Sequence, residues 1–364
     1  MTTKSFPIIS TRRSRGGFTI AELLVSVFVV TIIILMVSQL MTSATAITRT
    51  GSKHIDTDTQ ARVVLDRMAV DFAQMLKRTD VDYYVKGPTN YSGHGNGHGW
   101  GHGLGNGMQG SDQIAFFSHV PGYNDTNSSS QGPVSLVAYR VNQRSNTGNP
   151  AYLRLERMGK GLLWNGVSNL TNTNAIYPIV FLPQTIGAIG PWSAAVQNDN
   201  SNASSDSDYQ ILGPGVFRLE YYYLLKNGRL TDVPWDRDAR PTQTTLTNPE
   251  SIGLKDIEAI GVAIAVIDPA GRALIDAASA TSLLDLASDL DDFTSAHGRG
   301  VGNQTRYVGM MEADWKGVLF GDATQIPPLP GIVNTGQTSA GTPVPPEATK
   351  AIRVYSRYFD LKNL

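Results

Sequence analysis

The chain has no cysteine among its 364 residues. Disulfide bonds, thiolate nucleophiles and cysteine-ligated zinc or iron–sulfur centres are therefore excluded. The chain also lacks a surplus of either charge, since 30 basic and 31 acidic residues give a formal net charge of −1. Non-specific binding of nucleic acid needs a basic surplus, so we expect no nucleic-acid partner. With 41% hydrophobic residues, the composition is nevertheless that of a folded chain.

Short motifs of the common enzyme classes are missing too. The sequence contains no G-x-S-x-G nucleophile elbow, no H-E-x-x-H zinc motif, no Walker phosphate-binding loop and no dinucleotide fingerprint. The sequence does not exclude a catalytic triad of Ser, His and Asp from distant positions, but no pattern indicates one. We therefore predict a protein without enzymatic activity and without a resident cofactor.

The longest apolar run covers residues 18–41 and contains one charged side chain, Glu22. As a helix this run extends about 36 Å, which exceeds the roughly 30 Å hydrocarbon core of a bilayer. Residues 1–17 carry basic side chains and no acidic one, and positively charged flanks stay in the cytoplasm. We thus predict a single-pass protein of the cytoplasmic membrane, with a cytoplasmic N-terminus and a periplasmic C-terminal domain.

Two ordinary export signals compete with this prediction. One is a secretory signal cleaved after Ala46, because Ala44, Thr45 and Ala46 match the A-x-A pattern. Against it, the apolar run is much longer than the usual stretch of about 7–15 residues. The other is a twin-arginine signal at Arg12 and Arg13, but the residues that follow lack the expected apolar character.

The segment RGGFTIAELL at residues 15–24 resembles the cleavage and methylation site of type IV pilins and type II secretion pseudopilins. The resemblance implies that prepilin peptidase cuts between Gly17 and Phe18 and methylates the new amine of Phe18. Residues 1–17 would then be a leader, and the partners of the mature chain would be other pilin or pseudopilin subunits.

Glu22 is the unusual residue of the apolar run. A carboxylate within hydrocarbon is costly and normally has a partner. Phe18 and Glu22 are four residues apart, which places them on one face of a helix. In a filament we expect Glu22 to pair with the Phe18 amine of a neighbouring subunit and so to set the register of assembly. A carboxylate that only reaches the lipid headgroups is the alternative.

Residues 42–79 are predicted to continue the helix as an amphipathic segment. Val64, Leu65, Met68, Phe72 and Met75 form one stripe at helical spacing, which is typical of a helix that packs on a domain. The sequence ARVVLDRMAVDFAQML at 61–76 resembles the corresponding segment of J-type minor pseudopilins and W-type minor pilins.

Residues 80–364 are predicted to form a β-rich globular domain, which makes the fold α+β: a long N-terminal helix, then a mainly antiparallel sheet with long loop insertions. We expect a helix at 276–290 and a hairpin formed by the second and third of the predicted strands. Those strands cover residues 113–119, 134–141, 151–157, 216–225, 257–267 and 351–361.

Three low-complexity stretches interrupt this pattern, and we predict surface loops for all of them. Residues 93–110 are rich in Gly and His, residues 198–208 are polar, and residues 323–349 are rich in Pro and are expected to be an extended connector. Candidates for a transition-metal site within these loops are His94, His98 and His102. Candidates for calcium ligands are Asp199, Asp206 and Asp208, and also Asp285, Asp289, Asp291 and Asp292.

The features together predict a structural subunit, a minor pseudopilin or minor pilin, of a type II secretion pseudopilus or a type IV pilus-like filament. The stretch YLRLERMGKGLLW at 152–164 is also similar to the Verru_Chthon cassette group of prepilin-like proteins. The alternative is a membrane-anchored binding protein, adhesin or enzyme that uses the leader only for export.

Overall fold

A computed structural model gives the chain as two compact units, Met1–Ser52 and Lys53–Leu364, which are described separately. Helix α1, Ile20–Ala73, contributes residues to both units. The residues that the structure describes are 19–76, 111–123, 131–142, 153–161, 209–231, 257–290, 293, 307–325 and 327–361.

Helix α1 is continuous through the predicted division at residues 41 and 42, and it ends earlier than residue 79. The chain leaves the helix because residues 74–76 pair with the first strand instead. Met75 forms a β-bridge with Ser118, and the Leu76 N–H donates to the Phe117 carbonyl at 2.8 Å. Residues 77–79 lie outside the described residues.

The first sheet is built around the predicted hairpin, which is confirmed. Strands β4 and β5 pair antiparallel from Ser135 opposite Gly161 to Asn142 opposite Arg154. The strand order is β1-β4-β5-β2-β3, and β6 pairs with β5. The six strands are β1 Gln113–Ser118, β2 Gly122–Tyr123, β3 Gln131–Gly132, β4 Ser135–Asn142, β5 Arg154–Gly161 and β6 Tyr209–Gly213.

The second sheet is antiparallel throughout and has the order β10-β9-β7-β8. Strands β7 and β9 have the predicted bounds, because both are long runs of β-branched and aromatic residues. Strand β9 is buried along nearly its whole length, as expected for a central strand. The strands are β7 Val216–Leu225, β8 Leu230–Thr231, β9 Ile257–Ile267 and β10 Ile352–Asp360.

The two faces of the second sheet carry different layers. Phe359 and Tyr358 are neighbours in β10, so their side chains point to opposite faces. The Phe359 ring packs on Phe72 of α1, with ring centroids 5.1 Å apart. On the other face, Tyr358 bonds to Tyr222, and the Tyr222 ring stacks on Phe293 at 4.7 Å. The chain therefore combines helices with antiparallel sheets, which makes the fold mixed α+β.

The prediction of one helix at 276–290 is wrong, because two helices occupy this region. Helix α2, Pro269–Ala278, begins earlier, at a Pro in its first turn and an N-cap Asp268 whose carboxylate accepts from the Gly271 N–H at 2.9 Å. Ser279 then adopts an extended conformation, which ends the helix. Helix α3, Ser282–Asp289, follows.

The prediction of an extended Pro-rich connector at 323–349 is also wrong. The segment contains two short helices, α5 Ile332–Thr335 and α6 Pro346–Lys350, after helix α4 Met310–Phe320. Glycines with positive φ flank α5 and turn the chain back on itself. Ile332, Val344 and Ala348 are buried in the hydrophobic core. The amino-acid composition did not indicate that this segment is folded, because a few apolar side chains among the prolines suffice to anchor it.

Candidate assembly segment and buried charge cluster

The first turn of α1 is closed by a reciprocal pair of side chains, Thr19 and Glu22. The Thr19 backbone N–H donates to Glu22 Oε2 at 2.9 Å, and the Thr19 hydroxyl donates to the same oxygen at 3.0 Å. In return, the Glu22 N–H donates to Thr19 Oγ1 at 3.3 Å. This geometry is a capping box, in which N-cap and N3 side chains satisfy backbone groups that a helix end leaves unpaired.

Sequence reasoning assigned Glu22 a partner on another chain but missed its partner on its own chain. The signal was present in the T-x-x-E spacing of residues 19–22, which is a capping-box pattern. Glu22 is therefore placed by local chemistry at the start of the apolar helix. Gly17 and Phe18, the predicted cleavage and methylation site, lie outside the described residues.

Within the described residues, one helical segment is long and apolar enough to cross a membrane. It covers Ile20–Thr45, with 26 residues and a mean hydropathy of 2.9. None of its most apolar stretch is buried inside the structure. The support for a membrane span at this segment comes from its length and composition alone.

Four hydroxyl side chains of this segment are satisfied along their own helix. The hydroxyls of Ser26, Thr31, Thr42 and Thr45 each donate to a backbone carbonyl three or four residues earlier, at 2.8–2.9 Å. A hydroxyl that is bonded in this way costs less to transfer into hydrocarbon than a free one. These four hydroxyls therefore add little to the cost of inserting the helix.

A second charged site lies in the other unit, where α1 contacts the first sheet. The Asp71 side chain is fully buried. Arg157 of β5 donates to it twice, from Nε at 2.6 Å and from Nη2 at 3.0 Å. Arg67, one turn earlier in α1, approaches at 3.2 Å, and the Tyr139 hydroxyl of β4 donates a short hydrogen bond. We call these four residues the Asp71 cluster.

The Asp71 cluster fastens the helix to the hairpin. A buried carboxylate is tolerated only when cations and donors surround it, and this one has both. Burial, and then the charge of Asp71, raise the pKa of Tyr139 well above its ordinary value. The phenol therefore keeps the proton that it donates to Asp71. With its donors all supplied by the protein, the cluster fits a structural role rather than ligand binding.

Sequence reasoning also missed the Asp71 cluster, although one signal could have found it. Asp71 follows Met68 by three residues and Val64 by seven, so it falls beside the apolar stripe of α1. An acidic residue at such a position is expected to be buried and paired. Its partner could not be identified, since Arg157 is 86 residues away in the chain.

The predicted metal ligands find no support among the described residues. Asp285 and Asp289 of α3 are bonded to the loop after α5: the hydroxyls of Thr342 and Ser339 donate to them. In the described part of the chain, no group of three or more His, Asp or Glu residues is arranged to hold a metal ion. The other candidates lie outside the described residues: His94, His98, His102, Asp199, Asp206, Asp208, Asp291 and Asp292.

Comparison of the chain with protein-family models and with curated proteins gives no match. The likeness to pilins and pseudopilins therefore depends on the short segments quoted above.

Proposed function

We propose that this chain is a structural subunit of a type IV pilus-like filament or a type II secretion pseudopilus, of the minor pseudopilin or minor pilin class. One observation carries the proposal. A single carboxylate, Glu22, lies in the first turn of a 26-residue apolar helix, directly after the sequence RGGFT. The exposed apolar surface of this segment requires lipid or neighbouring helices, and the resemblance of residues 15–24 to the pilin cleavage site gives the acid a role in assembly besides its own cap.

The exposure of the helix supports this proposal. Every large apolar side chain between Ile20 and Met41 is at least 37% exposed. These side chains need lipid before assembly and neighbouring helices in a filament, because an exposed apolar surface of this extent is unstable in water. In a filament the carboxylate would lie within an apolar bundle, where a cationic partner lowers the cost of its burial. The new amine of a neighbouring Phe18 would be that partner.

The proposed order of insertion, processing and assembly follows from these requirements. The precursor is a single-pass protein of the cytoplasmic membrane, with residues 1–17 in the cytoplasm and the domain on the periplasmic side. Prepilin peptidase cuts after Gly17 and methylates Phe18. The mature chain then assembles with other subunits through its helix. The domain has a structural, non-enzymatic role, and its size suits a low-copy position at the tip of the fibre.

Mass spectrometry of the mature N-terminus tests the processing step. A methylated Phe18 is expected. A start at Ile47 would instead indicate an ordinary secretory signal, and an intact N-terminus would indicate a permanent anchor. Either result would contradict the proposed processing.

A pair of variants tests the assembly step. Glu22→Ala removes the carboxylate, and Ser26→Ala is the matched control, since Ser26 lies one turn further along the same helix. We expect Glu22→Ala to be cleaved but absent from sheared filaments, and Ser26→Ala to assemble like the wild type. Normal incorporation of Glu22→Ala would reduce the protein to an exported domain on a membrane anchor.

A further inference from the structure

We propose that residues 327–330 are a preformed polyproline II segment that binds a partner protein through a groove lined with aromatic side chains. The segment consists of Pro327, Pro328, Leu329 and Pro330, which is a P-x-x-P pattern. Such segments bind aromatic-lined grooves well because a polyproline II helix needs little further ordering. The proposal does not depend on the filament function, and it assigns a role to a part of the Pro-rich stretch that helices α5 and α6 do not include.

The backbone conformation of the segment follows from its prolines. A proline ring fixes its own φ near −65°, which is close to the value in polyproline II. A proline also pushes the residue before it into the extended or polyproline II region. Pro327 and Leu329 each precede a proline, and Leu329 forms a β-bridge with Asp322. None of the four residues lies in a helix, so the segment has the extended backbone that such grooves bind.

The exposure of the side chains matches the period of polyproline II, which has three residues per turn. Pro327 and Pro330 are three residues apart, so they lie on one edge of the segment, and both are exposed. Pro328 is exposed on a second edge. Leu329, on the third edge, is half-buried. Two edges that carry proline rings therefore face solvent, and the remaining edge faces the domain.

Contacts at the end of the segment hold it in place. The Asp322 N–H donates to the Leu329 carbonyl at 3.0 Å, and the Leu329 N–H donates back to the Asp322 carbonyl at 2.9 Å. The Pro330 carbonyl accepts from the Asn334 side-chain amide at 2.7 Å. Gly331 has a φ of +74°, and a Cβ there would lie 2.2 Å from a backbone nitrogen, so the turn needs glycine. These contacts order the segment before a partner arrives, which lowers the entropy cost of binding.

A second P-x-x-P pattern, at residues 343–346, shows how a proline segment looks when the domain packs around it. Val344 is 1% exposed in the core. The Pro343 carbonyl accepts from the Ser282 hydroxyl at 2.8 Å, and Pro346 begins helix α6. At residues 327–330, by contrast, all three proline rings are exposed. Their exposure leaves these rings accessible to a partner protein.

Binding of a WW domain tests the proposal, since WW domains bind proline-rich segments through an aromatic-lined groove. The probe is a purified WW domain that binds Pro-Pro-x-Pro peptides, and the same domain with its groove tryptophan replaced by alanine is the blank. Fluorescence anisotropy compares the full-length chain in detergent with a free peptide of residues 322–331. We expect the chain to bind about ten-fold more tightly, because the free peptide still has to order its backbone.

Two variants of the full-length chain identify the binding residues. Pro327→Ala with Pro330→Ala removes the rings of one edge, and we expect it to weaken binding by about ten-fold or more. Pro343→Ala is the matched control, because Pro343 is also exposed but belongs to the second pattern, and it should bind like the wild type. An excess of the free wild-type peptide should displace the probe from the chain, and a peptide with both alanines should not. This competition decides the question even if the double variant unfolds.

Four results would overturn the proposal. They are no binding of the WW domain to the full-length chain, equal binding of the blank, equal affinities for the chain and the free peptide, and no displacement of the probe by the wild-type peptide. Unchanged binding by the folded double variant would overturn it as well. None of these results concerns Glu22, so the proposed function would stand or fall separately.

Discussion

Removal of the Asp71 carboxylate is expected to be a severe perturbation of the domain. In Asp71→Ala, the Arg157 guanidinium loses its bonds at 2.6 and 3.0 Å, while its side chain remains only 14% exposed. A buried charge without its partner costs about 3–5 kcal/mol. The whole free energy of unfolding of a domain is about 5–15 kcal/mol. We therefore expect this variant to lose a large share of its stability.

Asp66→Ala is the matched control. Asp66 is also an α1 carboxylate bonded to an arginine, Arg357 at 2.6 Å, but the two side chains are 59% and 43% exposed. Exposed pairs of this kind contribute about 0–1 kcal/mol. Urea unfolding of the full-length chain in detergent, followed by tryptophan fluorescence, reports both, since Trp315 is fully buried. Equal losses in the two variants would refute the argument from burial.

A combined replacement separates charge from shape. Asp71→Leu with Arg157→Met and Tyr139→Phe removes the buried carboxylate, its most buried cation and the hydroxyl together and keeps comparable volume, while Arg67, whose side chain is 36% exposed, can turn to solvent. Replacement of a whole buried ion pair by apolar side chains is often neutral or stabilising. We expect the triple variant to be more stable than Asp71→Ala. A triple variant as unstable as Asp71→Ala would mean that packing, not the unpaired charge, dominates the loss.

Three further outcomes follow from local geometry. Burial, and then the hydrogen bond to Asp58, raise the pKa of Tyr355 from 10.0 to about 12. The stability that the protonated Tyr355 contributes is therefore full below pH 10 and is lost as the pH rises towards 12. Tyr355→Phe should flatten that part of a pH–stability curve. Gly261→Ala would place a Cβ 2.6 Å from the Tyr222 ring. Thermal unfolding should therefore show that the free energy of unfolding falls by about 1–3 kcal/mol, and adding Tyr222→Leu should partly reverse this loss. Asp289→Ala removes the acceptor of the Ser339 N–H at 2.8 Å, so hydrogen exchange should accelerate at Ser339. Exchange should not accelerate at Thr342, because its N–H is bonded to Thr338. Unchanged exchange at Ser339 would contradict the contact.

The sequence predicted those elements whose signal is local. Strands β7 and β9 have their predicted bounds, because unbroken β-branched and aromatic runs specify a buried strand without reference to the rest of the chain. The β4–β5 hairpin was predictable for the same reason, as its strands are neighbours in sequence. The Thr19–Glu22 cap was within reach too, since its signal covers four residues.

The elements that sequence reasoning missed depend on distant contacts. Strand β6, Tyr209–Gly213, follows a polar stretch and is a strand because it pairs with β5. The Pro-rich segment folds because Ile332 and Val344 reach the core, which composition cannot reveal. The early start of α2 was missed although Asp268 followed by a Pro is a typical helix start, and the split from α3 was missed because no residue type at position 279 signals an extended conformation.

Three carboxylates of α1 share one chemistry and differ in task because their surroundings differ. Asp71 is buried between two arginines, Asp66 is exposed beside Arg357, and Glu22 bonds to Thr19 in the other compact unit. Glu22 and Asp71 have no partner in common in the described chain, so their effects on stability should add. Because Glu22 lies outside the compact unit that contains Asp71, Glu22→Ala should leave the unfolding of that unit unchanged, and Glu22→Ala with Asp71→Ala should unfold like Asp71→Ala alone. If Glu22→Ala by itself lowered the free energy of unfolding of the domain, a defect in assembly would be a consequence of misfolding, and the proposed register role of Glu22 would be refuted.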